Sequence, residues 1–289
     1  METSERGGEN YPASHPHRDA WVLALRGPRP ALDPAAPPGW LLEWERDPRG
    51  RRVRGLTVFL VSRECPWRCV FCDLWRHTLA RSATPEQILG QIDSVLGRPE
   101  VRGAGVRQLK LYNAGSYFDA GAIPPSCDSG VAARCRGWER LIVESHPALV
   151  GERCWRLRDR LGATALEVAM GLETADPDVL PRLNKRVSLD GFVRAAAALR
   201  REGVGWRAFV LVQPPFQEPS AAVDWAVRSA ALAFDHGAGV VALIAVRPGN
   251  GAMESLARQG LWTPPAIDDL EAAVDGALAL GGGRVFADL

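Results

Sequence analysis

The stretch GLTVFLVSRECPWRCVFC, residues 55–72, begins as a continuous apolar run that is rich in β-branched residues. Such a run predicts a strand with both faces buried, which is typical of a parallel sheet. The run ends at Ser62, and cysteines follow at positions 65, 69 and 72. Three reactive side chains are therefore expected directly after the carboxyl end of a buried strand.

Further strands follow this one, and a helical stretch separates each from the next. The predicted strands are 55–62, 108–113, 139–145, 165–173, 206–213 and 239–246. Helices are expected from Thr84 to about Gly97, less regularly after the second strand, from about Pro147 to Leu161, after Ser188, from Ser220 to His236, and from Pro264 to Leu280. Six strand–helix units in strict alternation predict an α/β protein with a parallel sheet and right-handed crossovers. The alternation alone is compatible with an open doubly wound sheet and with a partial (βα) barrel.

The composition excludes several classes of protein. A chain of 289 residues with 46% hydrophobic and 24% charged residues can bury a large core, so it is neither disordered nor fibrous. Its net charge of +1 gives no general affinity for nucleic acid. The first 19 residues contain no signal peptide, and no run reaches the roughly 18–20 apolar residues of a membrane span. We expect a cytoplasmic protein without a membrane partner, with a polar, Pro-rich extension over 1–48 and one core domain over 49–289.

In both candidate architectures, the functional residues are expected at the carboxyl ends of the strands. Polar or unusual residues follow every predicted strand. After the cysteines of the first strand, these segments are Asn113–Ser116, Glu144–His146, Gly171–Thr174, Gln213–Pro215 and Arg247–Asn250. The strand ends therefore converge on a single mouth.

The spacing C-x3-C-x2-C indicates an inorganic centre in a reducing compartment. Iron–sulfur clusters are normally held by four thiolates, so three leave one iron open to a non-protein ligand. The amino and carboxylate groups of S-adenosylmethionine (SAM) can chelate that iron, and electron transfer then cleaves SAM to a 5′-deoxyadenosyl radical. The alternative is a zinc knuckle with His77 as the fourth ligand. Cys127, Cys135 and Cys154 lack such spacing and receive no role.

The segment CPWRCVFC, residues 65–72, resembles the signature of the radical SAM superfamily, including an aromatic residue before the last cysteine. KLYNAGSYFD, LIVESHP, EVAMGLETADPDVLPRLNK and VQPPF are similar to segments of the archaeosine synthase radical SAM subunits, within the branch of the elongator catalytic subunit and the methylthiotransferases. The resemblance covers about residues 54–280. It implies a six-unit partial (βα) barrel, one [4Fe–4S] cluster, SAM, and an electron donor such as flavodoxin or ferredoxin.

The resemblance also implies roles for individual residues. Cys65, Cys69 and Cys72 would ligate the cluster. The residues assigned to SAM are Phe71, Asn113, Gly115, Ser116, Gly171, Glu173, Arg186, Pro248 and Gly249. The family's acidic residue after the second strand is missing here, so Ser116 or a backbone carbonyl would have to accept the methionyl amino group. Glu173 would contact the ribose or the amino group, and Arg186 the methionyl carboxylate. The structural alternatives are a helix cap for Glu173, a surface charge for Arg186, and turn formation by Asn113 and Ser116.

The sequence says less about the substrate than about the cofactors. Tyr117, Glu144, His146, Gln213 and Asn250 are predicted to line the mouth, which suits a small polar molecule. The resemblance to archaeosine synthase implies modification of a tRNA base as the alternative, although the near-neutral charge weighs against it. A non-catalytic Fe–S or zinc-binding protein is the third hypothesis. After the glycines at 281–283, RVFADL predicts the start of another strand where the family has more chain, so we also consider a truncated C-terminus.

Overall fold

The computed structural model describes residues 10–36 and 38–288. In these ranges one sheet contains the strands β1 (Gly39–Arg46), β2 (Arg52–Leu60), β3 (Gln108–Asn113), β4 (Arg140–Ser145), β5 (Ala165–Glu173), β6 (Gly205–Val212), β7 (Val240–Ala245) and β8 (Arg284–Asp288). The α-helices are α1 (His15–Leu25), α2 (Pro85–Leu96), α3 (Pro99–Arg102), α4 (Cys127–Arg134), α5 (Glu152–Leu161), α6 (Leu189–Arg201), α7 (Ala222–Asp235), α8 (Ala252–Arg258) and α9 (Ile267–Ala279).

The strands lie side by side in chain order, and β2 to β8 are all parallel. The predicted parallel α/β architecture is therefore confirmed, and its six strands are β2 to β7. The count of six is incomplete, because RVFAD forms β8 and because β1 pairs antiparallel with β2. β1 lies within the segment that we predicted as an extension, where the surrounding prolines obscure its short alternating pattern.

The sheet curves into a nearly closed barrel. β1 and β8 are its two edges, and they approach each other closely enough for Arg284 Nη1 to donate a hydrogen bond of 2.6 Å to the carbonyl oxygen of Arg46. The helices that follow β2 to β7 pack against the outside of the sheet. The first of them, α2, begins with the predicted capping box between Thr84 and Gln87. No helix in the two described ranges is long and apolar enough to cross a membrane.

Alternation along the strands divides their side chains between an outer core and a lumen. The outward side chains are apolar and buried against the helices, among them Leu56, Val58, Leu109, Leu111, Leu141, Val143, Val168, Met170, Val210, Val241 and Leu243. A second, smaller core joins Trp21 and Val22 of α1 to Val70, Leu183 and Met253. This second core lies under the cysteine-containing loop.

Buried charged residues close the amino end of the lumen. Lys110 pairs with Glu45 and lies 3.0 Å from Glu43 Oε1, while Arg207 Nε donates to Glu167 Oε1 at 2.6 Å. Burial alone would raise the pKa of Glu45 and of Glu167, but Arg207 holds both below their ordinary value. Glu45 and Glu167 therefore stay ionised, and these paired groups fill the amino end of the lumen from β1, β3, β5 and β6.

Candidate active site

The three cysteines lie on the loop that follows β2, and all are half-buried and unbridged. Burial raises the pKa of the Cys65 and Cys69 thiols, and that of Cys72 to about 12. Thiols in this environment stay protonated until a metal displaces the proton. The loop therefore offers three metal ligands and no activated free thiolate.

Two asparagines fix the backbone of this loop. Asn250 Nδ2 donates to the carbonyl oxygen of Val70 at 2.8 Å and to that of Cys72 at 3.3 Å. Asn184 Nδ2 donates to the carbonyl oxygen of Arg68 at 2.8 Å. Asn250, which we predicted as a substrate residue, therefore positions the cysteines, and we leave it out of the substrate site. Asn184 was not singled out by the sequence analysis.

The segment after β3 comes very close to the cysteine loop at Gly115. A Cβ atom on Gly115 would lie 3.1 Å from Asn113 Nδ2 and 3.4 Å from the amide nitrogen of Cys65. Asn113 Oδ1 is buried and has no hydrogen-bond partner in the described residues. Ser116 Oγ, by contrast, already accepts the amide of His146 at 2.9 Å. Asn113 Oδ1 is therefore the acceptor in this segment that fits a donor such as the amino group of SAM.

Lys185 is the cation with the largest electrostatic effect on the Cys69 thiol. Its ammonium group pairs with Glu173 at the end of β5, and a Cβ atom on Gly171 would overlap both side chains. Burial opposes the charged form of Lys185, but the paired Glu173 outweighs burial and raises the pKa of Lys185. Arg186, to which we assigned the methionyl carboxylate, instead pairs with Asp19 of α1, and its side chain is 39% exposed. The chain has 35 basic residues, and only Lys110 and Lys185 among them are lysines. This rarity of lysine is the feature of the sequence that could have pointed to Lys185.

The remaining residues of the predicted mouth take structural positions. The His146 ring stacks on Trp67 with centroids 3.6 Å apart, and burial together with Lys185 lowers its pKa to about 3. Tyr117 is fully buried, and its hydroxyl donates to Asp128 at 3.3 Å. Gln213 Nε2 donates to Thr263 Oγ1 at 2.7 Å. We therefore leave Tyr117 and Gln213 out of the substrate site.

Glu144 projects into the carboxyl half of the lumen, which we call the upper lumen. Phe59 and Leu41 face the same way by alternation along β2 and β1, and they are 43% and 39% exposed, so solvent reaches this part of the barrel. Tyr112 and Phe209 meet edge to face with centroids 6.2 Å apart. Glu144 Oε2 accepts the amide of Asn113 at 3.2 Å. The Glu144 side chain therefore connects the upper lumen to the backbone of Asn113, in the segment beside the cysteine loop.

The N-terminal segment packs across the cysteine loop. Arg26 and Arg29 donate to the two oxygens of Glu64 at 2.7 and 2.8 Å. Asp19 Oδ1 accepts Asn184 Nδ2 at 2.8 Å, and Tyr11 donates to the carbonyl oxygen of Arg182 at 2.5 Å. α1 and the residues around it therefore hold both the cysteine loop and the segment that carries Lys185.

The donor set fits an iron–sulfur cluster better than zinc. His77, the predicted fourth zinc ligand, is exposed. Within residues 10–36 and 38–288, no three His, Cys, Asp or Glu side chains converge closely enough to hold one ion. A cubane cluster does not require such convergence, because each thiolate binds a different iron atom.

Comparison with protein families decides between these possibilities. A family model described as the radical SAM superfamily matches residues 59–218, which is more than half of the chain. The chain belongs to the radical SAM superfamily. It is therefore an enzyme, and its cofactors are a [4Fe–4S] cluster and SAM. The hypothesis of a non-catalytic Fe–S or zinc-binding protein was wrong.

Individual relatives are distant. Archaeosine synthase subunit beta of Methanosarcina acetivorans is 23% identical over 229 residues, which cover 75% of this chain and 64% of that protein. The chain spans slightly less than two thirds of the curated relatives it matches, 62% and 64% of their lengths.

Two solved structures have a similar fold. A queuine lyase from Clostridium spiroforme, bound to SAM and queuine, superposes with a TM-score of 0.53 at 18% identity, over 72% of this chain and 80% of that one. Elp3 of Methanocaldococcus infernus gives 0.52 at 15%, over 71% and 52%. At these identities the structural likeness establishes the fold alone.

Proposed function

We propose that this radical SAM enzyme acts on a small polar molecule that binds in the upper lumen. The observation that carries the proposal is the exposure of Phe59 and Leu41 inside a barrel whose amino end is filled by paired charges. Ligand sites are typically concave and mostly apolar, with few polar groups that orient the ligand, and the upper lumen would offer such a site. The upper lumen would hold a compact molecule, or one compact group of a larger molecule.

The residues around the cysteines suit the two cofactors. The bound cluster supplies the electron that cleaves SAM to a 5′-deoxyadenosyl radical. Cys65, Cys69 and Cys72 would ligate the cluster, and Asn113 Oδ1, which has no partner among the described residues, would accept the methionyl amino group. Lys185 would face the methionyl carboxylate, with Glu173 orienting its ammonium group. Phe71, Pro248 and Gly249 would contact the adenine. A small reduced protein such as flavodoxin or ferredoxin donates the electron in the cytoplasm, where the six free cysteines stay reduced.

The test measures 5′-deoxyadenosine release by the anaerobically reconstituted enzyme. A cell extract is divided into a low-mass metabolite fraction and bulk tRNA, and each is added with SAM and reductant. We expect the low-mass fraction to stimulate release and the tRNA to have no effect. Stimulation by tRNA alone would reject the proposal.

Modification of a tRNA base is the second candidate, and the match to archaeosine synthase subunit beta favours it. The queuine lyase of similar fold was solved with queuine, so the fold also accepts a small ligand of that kind. A base turned out of an RNA strand is itself a compact group. The same experiment separates the two candidates, because only the second requires the polynucleotide.

A further inference from the structure

We propose that His146 is a positioning residue that fixes Lys185 against the cysteine loop, so that the ammonium group of Lys185 meets SAM at the cluster. The inference rests on the proposed function, because it requires Lys185 to face the methionyl carboxylate. It adds the residue that holds Lys185 in place, and it gives a role to a histidine that we predicted as a substrate residue.

The His146 ring lies between two segments of the site. One face of the ring stacks on Trp67 of the cysteine loop, with the ring planes 6° apart and the centroids at 3.6 Å. At the edge of the ring, Nε2 lies 3.0 Å from the carbonyl oxygen of Lys185. The backbone amide of His146 donates to Ser116 Oγ at 2.9 Å, and the residue is only 6% exposed. His146 therefore contacts the cysteine loop through its face and the backbone of Lys185 through its edge.

The hydrogen bonds of the ring fix its tautomer. The amide of Ala148 donates to Nδ1 at 3.1 Å, so Nδ1 carries no proton. A neutral imidazole then carries its proton on Nε2, which donates to the carbonyl oxygen of Lys185. Burial, together with the charge of Lys185, lowers the pKa of His146 to about 3, so the ring is neutral near pH 7. Both ring nitrogens are engaged, and neither is left for a substrate.

The backbone at Lys185 requires such an anchor. Asn184 and Arg186, on either side of it, have φ angles of 56° and 61°, a left-handed conformation that residues other than glycine rarely adopt. A backbone of this kind persists only where the surrounding contacts hold it. Asp19 binds the side chains of both flanking residues. The carbonyl of Lys185 between them is held by His146, and without this hydrogen bond the Lys185 side chain should lose its fixed direction.

His146→Phe tests the hydrogen bond, because it keeps a ring that can stack on Trp67 and removes both ring nitrogens. We expect SAM to bind the anaerobically reconstituted variant about three- to tenfold more weakly, which is the usual effect of losing one neutral hydrogen bond. His146→Gln places an amide donor near the position of Nε2, so it should restore most of the affinity. Titration of SAM into each protein measures these effects. His77→Phe is the control and should not change the affinity, because His77 is exposed.

The same two variants should affect the cluster in the opposite order. His146→Gln removes the aromatic face that covers Trp67, and an aromatic pair typically shifts an equilibrium about two- to tenfold. We therefore expect a chelator to remove iron from His146→Gln about two- to tenfold faster than from the wild type, and from His146→Phe at the wild-type rate. A residue with only a general structural role would alter SAM affinity and iron loss together in both variants.

Three results would overturn the inference. These are wild-type SAM affinity in His146→Phe, a loss of affinity in His146→Gln as large as that in His146→Phe, and equally fast iron loss in the two variants. Iron content and thermal unfolding show whether the variants fold. If His146→Phe does not, Trp67→Leu decides the question, because it removes the stack and leaves the hydrogen bond. Iron should then leave faster while SAM binds as in the wild type, and weaker SAM binding in Trp67→Leu would overturn the inference.

The proposed function fails by different results. Stimulation of 5′-deoxyadenosine release by tRNA alone would reject the small substrate, and unchanged SAM affinity in Lys185→Met would reject the role of Lys185 itself. A loss of affinity in Lys185→Met without one in His146→Phe would leave that role intact and reject only the role of His146.

Discussion

The contrast between Lys185 and Arg186 shows what single residues contribute. Asn184 and Arg186 both adopt positive φ angles, 56° and 61°, so the backbone turns sharply on either side of Lys185. The two neighbouring cations therefore point apart, one toward Glu173 and the other toward Asp19. A sequence does not reveal such a turn, because neither residue is a glycine. From the sequence, Arg186 was predicted to bind the methionyl carboxylate because a guanidinium can bind a carboxylate in a bidentate manner.

Lys185→Met should weaken SAM binding about ten- to a hundredfold and leave the cluster iron intact, because it removes one charge-assisted hydrogen bond. Titration of SAM into the reconstituted enzyme measures the effect. Arg186→Met is the matched control and should change the affinity little. Lys185→Met leaves the Glu173 carboxylate without its partner. The double variant Lys185→Met/Glu173→Gln removes this unpaired charge as well. A larger loss in Arg186→Met than in Lys185→Met would return the role to Arg186.

Replacement of Cys65, Cys69 or Cys72 by Ala should abolish cluster binding, since each supplies one iron ligand. Iron and sulfide analysis of the reconstituted protein should give about four of each per wild-type chain. Cys127→Ala is the control, because Cys127 is fully buried in the outer core. Loss of iron in that variant to the same extent would mean that the ligands are misassigned.

Glu144→Gln should stabilise the ligand-free enzyme increasingly as pH rises. Burial raises the pKa of Glu144 from 4.5 to about 8 in the folded state. Between these two pH values the carboxyl ionises in the unfolded chain but not in the folded enzyme, so the free energy of unfolding falls as the pH rises. The difference in Tm between variant and wild type should grow from pH 5 to pH 8 and stay constant above. A difference that does not vary with pH would show that Glu144 ionises normally.

Some helices and strands have a regular pattern in the sequence and could be predicted from it, and others do not. β2 to β7 were predictable, because each is a buried apolar run between clear turn residues, and α2 was predictable from its capping box. α1 and β1 were not, because Pro16 and the prolines between residues 28 and 38 resemble a linker. α8 spans only seven residues and has no distinct period. The cysteines were found from the sequence, whereas the elements that hold their loop depend on tertiary packing.

Trp21→Ala in α1 should destabilise the fold and speed the loss of iron to a chelator. Trp21 is buried in the second core with Val70, which lies between two of the cysteines. Truncation of a buried tryptophan typically costs about 3–5 kcal/mol. Leu23→Ala on the same helix is the control, because Leu23 is 47% exposed. If the two variants lose iron at equal rates, α1 does not support the cysteine loop.

At the scale of the whole molecule, charge limits the kinds of partner. With 35 basic and 34 acidic residues, the chain has almost no overall excess of positive charge with which to neutralise phosphates. We expect bulk tRNA to bind no more tightly than about 10⁻⁴–10⁻⁶ M at physiological salt, the range of non-specific association. Filter binding at several salt concentrations measures this. Submicromolar binding that weakens steeply with salt would favour the tRNA candidate.

The buried charges at the amino end of the lumen have a kinetic consequence. Lys110, Glu45, Arg207 and Glu167 are buried and paired, so they close the amino end of the lumen to a ligand. Of two molecules that share such a blind tunnel, the deeper one arrives first and departs last. If the substrate occupies the upper lumen below SAM, in line with the proposed function, it would bind before SAM and leave after the fragments of SAM. Release of the product would then limit turnover, because SAM bound nearer the entrance would block it, and excess SAM would inhibit the enzyme.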